Sequence, residues 1–93
     1  MDIRHLTYFL EVARLKSFTK ASQSLYVSQP TISKMVKNLE DELGVQLFYR
    51  NGRQVEMTDA GQTMYTQASE ITQSFQNLTS ELNDLMNVKK GHI

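Results

Sequence analysis

The chain has 93 residues, 40% of them hydrophobic and 22% charged, with ten basic and ten acidic side chains, a length that supports one small core and one appendage. Cysteine is absent and His5 and His92 lie at opposite ends, so disulfides and thiolate metal sites are excluded, and neither a zinc site nor a resident cofactor is expected. No apolar run approaches bilayer-spanning length and Met1 to His5 is no leader peptide, so a cytoplasmic protein without membrane contact is expected.

Ile3, Leu6, Leu10 and Ala13, with Phe9 and Val12 beside them, recur at helical spacing, which predicts a first helix from Asp2 to Lys16. Thr19 is the expected N-cap of a short second helix, Lys20 to Leu25, with Ala21 and Leu25 inward. After a tight connection at Tyr26-Val27, Ser28 is placed to cap a third helix with Pro30 in its first turn, where a missing amide costs nothing. Ile32, Val36, Leu39 and Leu43 give that helix one apolar stripe, and Gly44 supplies a left-handed stop.

Beyond Gly44 the period changes. Leu47-Phe48-Tyr49 and Gln54-Val55-Glu56-Met57 are strand-like, and Asn51-Gly52 between them is a hairpin signal, so a two-stranded β wing is expected. Thr58 and Asp59 open the longest helical stretch, running to about Val88 and ended by Gly91. Within it Met64, Ala68, Ile71, Phe75, Leu78, Leu82 and Leu85 form a heptad seam three repeats long, which a small domain cannot cover and which a second copy of the chain would. The fold class read from this pattern is mainly α: a winged helix-turn-helix of three helices plus wing over residues 1–57, a dimerisation helix over 58–88, and a tail over 89–93.

Charge is unevenly placed. Residues 1–57 hold eight basic groups against six acidic ones, and between Val12 and Leu39 there is no acid at all, while Arg14, Lys16, Lys20, Lys34 and Lys37 fall inside. A local cationic surface thus survives a neutral total. The buried stripe of the third helix forces Gln29, Thr31, Ser33, Lys34 and Lys37 outward, which is the chemistry of a helix docked in a major groove. Gln29 suits a bidentate pair with adenine, Ser28, Thr31 and Ser33 offer hydroxyls, Pro30 fits a thymine methyl, and Lys34 and Lys37 serve bases or phosphates. Arg50 and Arg53 flank the hairpin turn and are second-rank candidates for the minor groove or its phosphates. Phe9, Phe18 and Phe48 fall on inward faces, so duplex DNA rather than single-stranded RNA is the expected partner.

Phe18-Thr19-Lys20-Ala21-Ser22, Leu25 to Ser33, and Leu39 to Phe48 followed by Arg50, Arg53 and Met57 to Gly61 resemble the N-terminal domain of LysR-type transcriptional regulators over nearly the whole chain. The resemblance implies a bacterial regulator with Gln29, Pro30, Ser33 and Lys34 in the major groove, Arg53 at the wing, and linker helices paired antiparallel. It also implies a larger effector-binding region beyond Ile93 that senses a small molecule, with tetramers an option for the intact chain. Lys34 departs from the arginine that many members carry, which favours a point-charge contact over a bidentate one. A protein-interaction module that uses the heptad helix without DNA is the alternative; no catalytic constellation can be drawn from these positions, so an enzyme is the least favoured reading.

Overall fold

The computed structural model describes residues 1–50 and 54–89, and its helices follow in the order α1 (Ile3–Leu15), α2 (Phe18–Leu25), α3 (Gln29–Leu43) and α4 (Asp59–Lys89). Local capping explains the boundaries of α1 to α3 and the start of α4, while the expected stop at Gly91 lies outside the described residues. Asp2 caps α1 by accepting the backbone N–H groups of Arg4 at 2.9 Å and His5 at 3.2 Å. The His5 ring nitrogen 3.0 Å away, the His5 amide and Arg4 hold the Asp2 carboxyl down to about 2 from its usual 3.8. Lys16 then turns left-handed at φ 54 and ends the helix.

Helix α2 begins two residues earlier than the sequence predicts, because Ser17 rather than Thr19 is its cap: the Ser17 hydroxyl accepts the Lys20 N–H at 3.0 Å. Thr19 lies inside the first turn, where its carbonyl accepts the Ser22 hydroxyl at 2.6 Å. The earlier start brings Phe18 edge-on to Phe48, with ring centroids 5.9 Å apart. Helix α3 starts as expected, with the Ser28 hydroxyl accepting the Thr31 N–H at 3.2 Å, and ends on Gly44 at φ 71.

One apolar core fixes these elements. Phe9, Val12 and Ala13 of α1, Ala21 of α2, Ile32, Val36 and Leu39 of α3, and Leu47 and Phe48 behind them are all buried together. Phe9 and Phe48 pack with their rings tilted by 39° and centroids 5.3 Å apart. Each large side chain buried here contributes roughly 1.5–3 kcal/mol, so the stripe of α3 is committed to the interior and cannot face solvent. Leu43, expected in that stripe, is 38% exposed; Glu40 is buried in its place at 5%.

The wing is slighter than two regular strands. Among the described residues its pairing is one antiparallel bridge, Phe48 with Met57, extended by the Tyr49 N–H bonding the Glu56 carbonyl at 2.9 Å. The Asn51-Gly52 turn lies outside the described residues. Thr58 ties the end of the wing to α4: its N–H bonds the Leu47 carbonyl at 3.0 Å, its hydroxyl donates to the Gln46 carbonyl at 2.6 Å, and the same oxygen accepts the Gly61 N–H at 3.0 Å. Gly61 is needed for space, since a Cβ there would run into the Leu47 carbonyl oxygen and lie 3.1 Å from the Met57 Cβ.

Helix α4 has 31 residues, roughly 46 Å at 1.5 Å per residue. Its first half packs on α1, and the remainder extends beyond the core, so the chain measures 57 × 25 × 19 Å. None of the helices among the described residues is long and apolar enough to cross a membrane.

Candidate nucleic-acid interface

Burial of Ile32, Val36 and Leu39 sets the rotation of α3 and thereby what the opposite side presents. Ser28, Gln29, Pro30, Thr31, Lys34 and Lys37 are exposed there, and Ser33 is half-buried beside them. Seven predicted site residues are thus gathered at the start and along one side of a single helix. Two of the hydroxyls have structural partners: Ser28 and Thr31 share a hydrogen bond of 2.7 Å at the cap. Gln29 and Lys34 have none among the described residues.

The cations divide into bound and free. Arg14 pairs with Glu11 at 2.9 Å, and that carboxyl is held below its usual range by a hydrogen bond from the Ser24 hydroxyl and then by Arg14. Lys37 pairs with Asp41 at 2.9 Å, but both side chains are largely exposed, so the pair is worth only about 0.3–0.5 kcal/mol and yields readily to a phosphate. Lys16, Lys20 and Lys34 make no salt bridge among the described residues. The acid-free stretch pointed to Lys16 and Lys20 as well, although neither stood among the residues predicted for the site.

Arg50 has a structural partner that spacing did not reveal. Its guanidinium donates to the Glu40 carboxylate, whose other oxygen accepts the backbone N–H groups of Leu47 at 2.7 Å and Phe48 at 3.3 Å. A buried carboxylate on α3 therefore clasps the first segment of the wing, and it is fully satisfied, as a buried charge must be. Arg50 is 43% exposed, which leaves part of its donor fork on the surface. Arg53 lies outside the described residues.

The heptad seam divides as well. Ala68 is buried, and Met64 is half-buried, packed on the core of its own domain at one edge and lining an apolar groove with Leu43, Val45 and Ala60 at the other. The free stripe begins at Ile71 and continues through Phe75, Leu78, Leu82 and Leu85, each just over half exposed, with Met86 beside them. Of the predicted seam positions, Ala68 is thus the one the domain itself buries, while Met64 keeps an open edge.

Three short helices on one core, the last with a cationic outer side and a clasped wing, define the class: a winged helix-turn-helix of the DNA-binding kind, carrying a long protruding helix. Residues 3–62 match the model of the bacterial regulatory helix-turn-helix proteins of the lysR family, and the chain belongs to that family. It is 87% identical over 93 residues to the uncharacterized HTH-type transcriptional regulator YwbI of Bacillus subtilis (strain 168), covering all of this chain and 31% of that protein. The HTH-type transcriptional regulator BenM of Acinetobacter baylyi is 48% identical over 58 residues, 62% of this chain and 19% of that one. The crystal structure of the BenM_DBD/catB site 1 DNA complex superposes with a TM-score of 0.90 at 37% identity, covering 92% of this chain and 96% of that chain. The matched region therefore spans about a third or less of the length of these two regulators.

Proposed function

We propose that this chain is the sequence-specific duplex-DNA reader of a dimeric LysR-type transcriptional regulator, with α3 in the major groove and the wing alongside. The supporting observation is the two-sidedness of α3: Ile32, Val36 and Leu39 are buried, while Gln29, Lys34 and Lys37 are exposed. Lys16, Lys20, Lys34 and Lys37 supply sequence-independent attraction to phosphates, and Gln29 supplies discrimination of roughly 1–3 kcal/mol against a wrong base. Ser33 approaches the groove floor, Ser28 and Thr31 fix the helix start, and Pro30 meets a thymine methyl. Arg50, and Arg53 beyond it, serve the flanking backbone.

The division into a reader over 1–57 and a joining helix over 58–88 belongs to the same reading. A second copy covers the stripe from Ile71 to Leu85, which places two readers about one DNA turn, roughly 34 Å, or a multiple of it apart. The whole protein acts in the cytoplasm and responds to a small-molecule effector bound outside this chain. Fluorescence anisotropy with promoter duplexes and scrambled controls over a salt series tests the reading. Preference for particular duplexes, with affinity falling steeply as salt rises, supports it; weak, salt-independent association contradicts it.

A further inference from the structure

The turn between α2 and α3 holds a side chain that folding does not use. Tyr26 is 94% exposed, the most open of the large apolar side chains among the described residues. Its backbone sits at φ 58, ψ 39, the left-handed region that a bulky L-residue occupies only with strain. Among the described non-glycine residues only Lys16 shares that sign of φ. The backbone conformation itself is required: the Tyr26 N–H closes α2 on the Ser22 carbonyl, and the Val27 N–H bonds the same oxygen at 3.1 Å. Helix α3 meets the same need with Gly44, at φ 71, where a side chain would have open space. Glycine or asparagine would serve the α2 turn with less strain, so the phenol contributes nothing to the fold that a smaller residue would not.

Its position points to what the ring meets instead. Tyr26 stands three residues before Gln29, which keeps their Cα atoms within roughly 11 Å, at the end of α3 that enters the groove. It lies inside the acid-free stretch, and Glu11, which reaches Ser24 from α1, is already paired with Arg14. A major groove is about 12 Å wide and walled by phosphates, and a phenol offers one O–H donor on an apolar ring that can lie against a sugar. We propose that the Tyr26 hydroxyl donates a hydrogen bond to a DNA backbone phosphate at the rim of the major groove, as an uncharged anchor for the register of α3. This assignment rests on the DNA-binding reading above.

Tyr26→Asn and Tyr26→Phe in the 93-residue chain test it, with a duplex selected on the parent chain from a random-sequence pool as probe. Tyr26→Asn is expected to melt at the same temperature as the parent or higher, yet to bind about tenfold more weakly. Tyr26→Phe is expected to bind as weakly as Tyr26→Asn. Neither change should alter the salt slope, because a neutral hydroxyl releases no counterion, whereas Lys34→Ala should lower that slope by about one. Binding of either Tyr26 variant at parent strength, or a reduced slope in either, overturns the assignment while leaving the DNA reading intact. A parent chain from which no duplex can be selected overturns both.

Discussion

Glu40→Gln tests whether the wing is held to α3 by a buried charge. The wild-type carboxylate receives three donors, from the amides of Leu47 and Phe48 and from Arg50. Glutamine has one carbonyl oxygen and an NH2 group, so whichever way it turns, a donor confronts a donor. A buried donor left unsatisfied costs about 1–3 kcal/mol, and Arg50, 43% exposed against 5% for Glu40, can rehydrate, so the loss falls on the Leu47 and Phe48 side of the site and comes to about 3 kcal/mol. For a domain of this size that lowers the melting temperature by at least about 12 °C. Arg50→Ala should be milder, about 1 kcal/mol, because the arginine end is screened by solvent and Glu40 keeps both amides. Thermal unfolding of the parent and both variants at one protomer concentration measures the difference, the concentration being fixed because association adds to apparent stability. Equal losses from the two substitutions, or a shift below about 4 °C for Glu40→Gln, would refute the clasp.

Other substitutions separate the remaining roles. Lys37→Ala should weaken all duplexes about equally, while Gln29→Ala should relax discrimination at one base step, both read by anisotropy against a panel of single-base variants. Leu78→Asp sets a charge in the free apolar stripe and should turn a dimer into a monomer in sedimentation; an unchanged mass would remove that stripe from the interface. Gly61→Ala forces the first turn of α4 away from the Leu47 carbonyl and should cost about 1–3 kcal/mol in urea unfolding. The Asp2 carboxyl is depressed to about 2 when folded, so its capping contribution is fully present above the unfolded value near 3.8 and is lost as pH falls toward 2. Asp2→Asn should flatten that part of the acid-unfolding profile.

Much of this architecture was legible from periodicity, because helical spacing needs only local information. Helix α3 came with its cap, its proline and its glycine stop, and its exposed side followed from the buried one. The start of α2 is ambiguous in sequence because Ser17 and Thr19 are both good caps; the Ser17 cap is the one that goes with Phe18 packing on Phe48, a contact across 30 positions of chain. The burial of Glu40 is not legible in the sequence because its partners are amides seven and eight residues onward, beyond any helical repeat. The same clasp gives Arg50 a partner inside the fold. Ala68 fits the heptad as well as Phe75 does, yet a repeat cannot tell which part of a stripe its own domain covers. Where α1 packs on α4, the domain covers it; from Ile71 onward it does not.

Amide chemical shifts followed during titration of the isotope-labelled chain with a selected duplex test most directly whether α3 is the reading element. Insertion into the major groove predicts the largest changes at Gln29, Thr31, Ser33, Lys34 and Lys37, with smaller ones at Lys16, Lys20 and the wing. Saturated binding that leaves those α3 amides unmoved, with changes confined to α1 or α4, would contradict the account.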